Sequence, residues 1–284
     1  MISKHSMAPR LIIIFALSLL GANAIAQTTT TQPEYTPSIG QHGKDVVWVP
    51  TNQLLVTKML DIAKVTDKDY LIDLGSGDGR TVIAAAKRGA RALGIEYNIN
   101  MVEYSKQSAA KEGVTDKASF IKADLFESDF SQATVITMFL LPEINLKLRP
   151  KILDLKPGTR IVSNTFTMGD WEADQTAGAG EDGDEGYGSY NTALLWIVPA
   201  KVEGTWTMPQ GELTLTQKYQ VIEGTLKNGT QSSAISNGKM QGSKIHFTAN
   251  NSEFSGEVNG HQIQGNMSSN GKTTPWTATS RPSR

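Results

Sequence analysis

Apolar and polar positions divide the chain into two regimes. Between residues 54 and 200, short apolar runs alternate with amphipathic stretches. The run at 70–74 (YLIDL) ends in glycines and suits a buried strand. The segments 91–97 (RALGIEY), 118–123 (ASFIKA), 134–141 (TVITMFLL), 160–166 (RIVSNTF) and 193–198 (ALLWIV) repeat it. Between them, Leu54, Leu55, Met59, Leu60, Ile62 and Ala63 recur at helical spacing, and 81–88 (TVIAAAKR) is Ala-rich and helical. Residues 100–112 and 145–155 read as further helices, stopped by Gly113 and by Pro157-Gly158. Strands separated by helices in this way predict an α/β fold with a parallel, doubly wound sheet. On such sheets ligands bind beyond the carboxyl ends of the strands, where the winding reverses.

After Pro199 the pattern changes. Asn-Gly occurs at 228–229, 237–238, 259–260 and 270–271, and this dipeptide favours type I′ hairpin turns. Short alternating segments such as 212–216 (ELTLT) and 244–248 (KIHFT) lie between them. The pattern predicts a small all-β antiparallel meander of about eight strands, closed as a barrel or packed as a sandwich. Trp206 and Trp276 bracket it as candidate plugs of a small core.

At the other end, Lys4 and Arg10 precede an apolar run at 11–20 (LIIIFALSLL), and Ala24 and Ala26 follow in an A-x-A pattern. That is the layout of a secretory signal peptide cut after Ala26. The run is too short to span a bilayer, so no stable membrane span is expected after cleavage. Residues 27–45 read as a Thr- and Pro-rich leader. The expected organisation is therefore signal peptide 1–26, leader 27–45, α/β domain 46–200 and β domain 201–284, in a periplasmic or secreted protein.

Composition narrows the chemistry. The 284 residues include no cysteine and four histidines, which removes disulfides, Cys-ligated metals and cysteine nucleophiles. A metal site is not expected. The formal net charge of −1 gives no electrostatic footprint for nucleic acid.

The most informative stretch is 73–79 (DLGSGDG), a strand running into three alternate glycines and then a helix. Glycine suits a turn with unusual backbone angles that a ligand approaches closely. Arg80 stands where a dinucleotide fold needs a third small residue, and Asp73 would repel a pyrophosphate, so NAD is disfavoured. Glu96 ends the second strand, placed to accept from both hydroxyls of a ribose. Asp124 follows the third strand, placed to accept from an adenine amino group. Acids at three successive strand ends match a ligand with an ammonium, a ribose and an adenine, which is S-adenosylmethionine.

With the motifs DLGSGDGR (73–80), GIEYN (94–98), ADLF (123–126), LKPGTRIVS (155–163) and VVWVPT (46–51), residues 40–200 resemble the class I S-adenosylmethionine-dependent methyltransferases. The resemblance is to the branch of mitochondrial-type protein-lysine methyltransferases, and more distantly to Dot1-type enzymes. It implies a Rossmann-like sheet in which Asp73, Gly75, Ser76, Gly77, Gly79, Glu96, Asp124 and Thr51 bind the cofactor. It also implies that Trp48, Pro50 and Thr51 lie over the cofactor and help form the substrate entrance.

The segment after the fourth strand, 139–143 (FLLPE), has no acid or amide before its proline, which weakens DNA or glutamine methylation. A lysine amine needs mainly positioning and desolvation, and aromatic walls suit its side chain. Phe139, Phe166, Trp171 and Tyr190 are candidate walls, and Glu143 is a candidate base. The acidic loop 178–188 (GAGEDGDEGYG) reads as a mobile solvated loop, and as a lid it would suit a lysine-rich protein segment. The leading expectation is an exported methyltransferase acting on a protein lysine. A small-molecule acceptor, or a cofactor-binding scaffold whose β domain binds a partner, stands beside it. An exported enzyme also needs its cytosolic cofactor delivered.

Overall fold

A computed structural model of the chain describes residues 1–3, 35–179, 190–209 and 211–280. The expected signal peptide and most of the acidic loop, Glu181, Asp182, Asp184 and Glu185 included, lie outside the described residues.

Residues 35–284 form one compact unit. Its first half is a seven-stranded sheet in the order β3-β2-β1-β4-β5-β7-β6. The strands β1 (Tyr70–Leu74), β2 (Arg91–Glu96), β3 (Ala118–Lys122), β4 (Val135–Met138) and β5 (Arg160–Asn164) are mutually parallel. The strand β7 (Thr192–Ile197) runs antiparallel to β5, and β6 (Gln175–Gly178) antiparallel to β7. The expected doubly wound sheet is present with five parallel strands, and two antiparallel strands at one edge make it mixed. Between β5 and β6 the described chain holds no helix to carry it back across the sheet for a parallel pairing. The winding reverses between β1 and β4, as in other doubly wound sheets.

Side chains alternate between two cores, because successive strand residues face opposite sides. In β7, Ala193 and Leu195 join one core while Leu194 and Trp196 join the other. The helices α1 (Gln53–Ile62), α2 (Arg80–Lys87) and α3 (Ile99–Lys111) bury their apolar faces in the first. The helix α4 (Pro142–Leu153) covers the opposite face with Phe130 and Trp171. Asn52 caps α1 by accepting the Leu54 N–H at 2.7 Å.

The second half is a closed antiparallel barrel. Its eight staves are β8 (Gly204–Met208), β9 (Gly211–Lys218), β10 (Val221–Asn228), β12 (Ser236–Gln241), β13 (Lys244–Ala249), β14 (Ser252–Asn259), β15 (Gln262–Ser269) and β16 (Lys272–Ser280). The ring closes through the β16–β8 pairing, and β11 (Gln231–Ala234) hangs off β10. Both tryptophans are buried inside with Phe247 and Phe254.

Only one of the four Asn-Gly pairs sits whole in a hairpin turn. Asn270 and Gly271 both have positive φ and join β15 to β16. Asn228 and Asn259 instead end their strands, with the following glycine opening the turn. Asn237-Gly238 lies inside β12 at a register shift, a β-bulge that bends the stave. The β13–β14 turn is made by Asn250-Asn251, both with left-handed φ. Gly265 pairs with Gly256 on one side and with Trp276 on the other. A Cβ on Gly265 would lie 1.9 Å from the Ser255 carbonyl oxygen, so bare backbone is required where these strands meet.

Candidate functional site

A cavity opens at the carboxyl end of the parallel strands, beside the winding reversal. Asp73, Gly75, Ser76, Gly77, Glu96, Asp124 and Thr51 all border it, together with Trp48, Pro50 and Phe139. Gly79 stands just behind them as the residue preceding α2.

The glycine turn needs its glycines for two separate reasons. Gly75, Gly77 and Gly79 have φ of 77°, 53° and 82°, a region that L side chains rarely adopt. Space is short as well, since a Cβ on Gly77 would lie 2.5 Å from Trp48 Nε1. Glu96 fixes the turn by accepting the Gly77 N–H at 3.0 Å and the Asn98 N–H at 2.9 Å. Ser105 on α3 donates to the Gly77 carbonyl at 3.0 Å. Ser76 is buried, and its Oγ has no hydrogen-bond partner.

Asp73 is 6% exposed and accepts from Thr137 Oγ1 at 2.7 Å. Burial pushes its carboxyl up to about 7, the nearby Asp78 and Glu96 charges add to this, and the Thr137 bond opposes it. A buried acid surrounded by other acids calls for a cation.

Residues 40–51 roof the cavity. Gly40 and Trp48 form a small hairpin, with Gly40 N–H donating to Trp48 O at 2.8 Å and Trp48 N–H to Gln41 O at 2.9 Å. Arg80, read from the sequence only as the wrong residue for NAD, ties this roof to the floor. Its guanidinium grips the Asp78 carboxylate at 2.6–3.0 Å and donates to Thr51 O at 2.7 Å. Thr51 Oγ1 accepts from the buried Asn164 amide at 3.2 Å. Sequence reasoning also missed Lys44, which ion-pairs with Asp124 and lies 5.2 Å from the Tyr97 ring centroid. The hydrogen bond from Lys44 is the main reason Asp124 sits below its ordinary carboxylate range. No spacing rule links positions 44 and 124, so only the folded roof reveals the pair.

Three of the four aromatic candidates meet. Phe139 stacks on Phe166 at 5.9 Å between centroids, and Tyr190 closes on both at 5.3 and 5.6 Å. Phe139 belongs to this trio and to the cavity border alike. Trp171 does not join them, because it is fully buried against Trp196 and Tyr219. Glu143 is exposed in the first turn of α4, where its charge favours the helix N-terminus, and it does not border the cavity. The residue after β5, Thr165, has a φ of 59°, an outlying conformation for a β-branched side chain.

The donor and acceptor set therefore fits S-adenosylmethionine. A buried acid in need of a cation, a carboxylate on the glycine turn and a third acid across the cavity offer partners for its ammonium, ribose and adenine. A fold of this kind with such a cavity is that of a class I S-adenosylmethionine-dependent methyltransferase.

Comparison with known proteins narrows the class. Residues 73–175 match the ANTKMT methyltransferase domain. A protein-lysine N-methyltransferase of Saccharolobus islandicus (strain REY15A) is 43% identical over 156 residues, which are 54% of this chain and 94% of that protein. The adenine nucleotide translocase lysine N-methyltransferase of Mus musculus is 31% identical over 156 residues, 53% of this chain and 66% of its own length. Among solved structures, an RNA methyltransferase from Salinibacter ruber in complex with S-adenosyl-L-homocysteine is 43% identical. It overlaps 54% of this chain and 96% of that one, with a TM-score of 0.49. The chain belongs to the S-adenosylmethionine-dependent protein-lysine methyltransferase family.

Proposed function

We propose that this chain is an exported enzyme that methylates a lysine amine of a protein. The supporting observation is the Phe139–Phe166–Tyr190 trio, which continues the cofactor cavity through the shared Phe139. Bound S-adenosylmethionine would supply an electrophilic methyl group on a sulfonium. Asp73 would hold the cofactor's ammonium, Glu96 its ribose hydroxyls and Asp124 its adenine amino group. The turn's lack of side chains lets the main chain approach the ligand, and Thr51, Trp48 and Pro50 form the roof.

The aromatic trio would hold the aliphatic stem and amine of the acceptor and keep water away. Positioning of this kind removes most of the entropy cost of bringing two reactants together. A neutral amine is already a nucleophile, so the site needs no strong base. Desolvation between aromatic faces favours the neutral form of an incoming lysine. Relatives named as lysine methyltransferases support the same acceptor. The charged start, apolar run and A-x-A pattern of residues 4–26 support export.

Methyl transfer from labelled S-adenosylmethionine to poly-L-lysine and to a periplasmic protein extract tests the acceptor. Methyl-lysine in the hydrolysate is the expected result. Label appearing on small molecules and never on protein would overturn it. Mass measurement of the chain recovered from periplasm tests export, with a new N-terminus at Gln27 expected; an uncut chain in the cytosol would reject it.

A further inference from the structure

Among the described residues of the barrel no metal-ligating cluster gathers, and its inward positions are filled by apolar side chains. It does grip one particular part of the methyltransferase domain. Residues 165–174, between β5 and β6, begin beside the cavity with Phe166 and continue through Asp170 and Trp171. From within the domain, α4 holds this loop. Asn145 Nδ2 donates to the Phe166 and Thr167 carbonyls at 3.3 and 3.2 Å, and Arg149 donates to Met168 O at 2.7 Å.

From outside, the β9–β10 hairpin of the barrel holds the same loop. Tyr219 lays its ring on Trp171, with centroids 5.7 Å apart and planes 20° apart. Its hydroxyl donates to the Asp170 carboxylate at 2.9 Å. Lys218 pairs with the same carboxylate at 3.1 Å, and Gln220 Nε2 donates to Glu172 O at 2.8 Å. The Arg149 guanidinium also lies over the Tyr219 ring, 5.3 Å from its centroid. Although Tyr219 belongs to a barrel turn, its side chain packs against the methyltransferase core and not the barrel core.

The backbone carries a further sign. Tyr219 has a φ of 55°, a conformation that a bulky residue adopts at a cost of about 1–3 kcal/mol. A glycine or asparagine would make that turn more easily, as Gly242, Asn250, Gly260 and Asn270 do in other turns of the barrel. What keeps a strained tyrosine there is its reach into the neighbouring domain.

We infer that the barrel serves as an external clamp on the acceptor side of the site, with Tyr219 as its positioning residue. Tyr219 fixes Asp170 and Trp171, and through the short loop it fixes Phe166, which walls the acceptor. The cofactor side is anchored separately, by Arg80, Glu96 and Ser105. The inference rests on the lysine-acceptor reading for its activity test, though not for its structural test.

Two variants separate positioning from simple folding. Tyr219→Gly removes the ring while relieving the left-handed turn, and Tyr219→Phe keeps the ring and loses only the hydroxyl. Hydrogen exchange on the full-length protein is the structural readout. In Tyr219→Gly, amides of residues 166–174 should exchange at least tenfold faster, while amides of β10 and of the glycine turn keep their protection. With poly-L-lysine as acceptor, kcat/KM should fall on the order of 10- to 100-fold while the Kd for S-adenosylmethionine is unchanged. Tyr219→Phe should stay within about threefold of wild type, since its stacking on Trp171 survives. Unchanged exchange across 166–174 would overturn the inference, as would a cofactor Kd that weakens in step with acceptor kinetics. If wild-type protein methylates no poly-L-lysine, the lysine reading fails and hydrogen exchange alone decides the clamp.

Discussion

Replacing Asp73 by Asn should stabilise the cofactor-free protein and weaken it as a cofactor binder. Burial carries this carboxyl from its ordinary 3.8 to about 7. That displacement corresponds to roughly 4 kcal/mol of disfavoured charge. The sign follows from proton counting. Between about pH 4 and pH 7 the unfolded chain has lost this proton and the folded chain retains it, so this group makes stability fall as pH rises through that window. Above about pH 7 both states are ionised and the loss is complete.

Asn is close in shape, still accepts from Thr137 and has no charge to bury. Calorimetric unfolding at about pH 8 should therefore show Asp73→Asn more stable than wild type, with the gap closing toward about pH 4. Cofactor binding should move the other way. A charged hydrogen bond contributes about 1.5–3 kcal/mol, so the Kd for S-adenosylmethionine at pH 8 should rise on the order of 10- to 150-fold. Wild-type affinity should also weaken below about pH 7, approaching tenfold per pH unit, because the ammonium must then displace a proton. The variant should lack that slope. Titration calorimetry across the pH range reads both effects. Wild-type affinity in the variant, or a variant no more stable than wild type at pH 8, would refute the assignment of Asp73 as the buried partner of a cation.

Three further outcomes are expected. Lys44→Met frees Asp124 from its ion pair and should tighten S-adenosylmethionine binding by up to about fivefold, the worth of an exposed pair. Binding weakened tenfold would instead make Lys44 part of the cofactor site. Phe166→Ala removes one aromatic wall and should lower kcat/KM for a lysine acceptor roughly 5- to 30-fold with cofactor Kd unchanged. An equal loss in cofactor affinity would place Phe166 elsewhere in the mechanism. Gly265→Val forces a side chain where a Cβ would meet backbone at 1.9 Å, and should cost at least about 3 kcal/mol of stability. A melting temperature within about 2 °C of wild type would contradict that packing.

The parts of the fold that could be read in the sequence are those whose signal is local. The strand 70–74, the glycines after it and the acids at 96 and 124 each sit within a few residues of their structural cue. Buried strands of this kind are continuous apolar runs, and β1, β4 and β7 are read correctly for that reason. The strand β6 reads QTAG, is largely exposed and carries no such run, so only its pairing with β7 reveals it. Alternation in the second half identifies inward faces, but whether the last stave reaches the first depends on shear and bulges, such as that at Asn237. The three acids bordering the cavity are legible because each lies at the carboxyl end of its own strand. The aromatic trio is only half legible: Phe139, Phe166 and Trp171 look alike as aromatic residues near strand ends. The stacking of Tyr219 decides that Trp171 turns inward, and that contact crosses about fifty positions of sequence and two domains. Lys44 and the Arg80–Thr51 bond are missed for the same reason, since tertiary structure alone brings Asp124 and Thr51 to them.

The seam between the two halves carries a further consequence. Ala200 N–H donates to Gly242 O at 2.8 Å, and a Cβ on Gly242 would lie 3.0 Å from the Cα of Gly158. Main chain there meets main chain with no side chain as a spacer. Ordinary interfaces adjust by exchanging one side chain for another, and a graded series of substitutions changes their geometry by degrees. A contact between two bare backbones offers no such series. The first methyl group added at Gly242 already presses on the Gly158 backbone, at a residue whose left-handed φ of 60° strains any side chain. At this one point of the seam the fit of barrel on catalytic sheet therefore tolerates glycine and nothing larger without local adjustment.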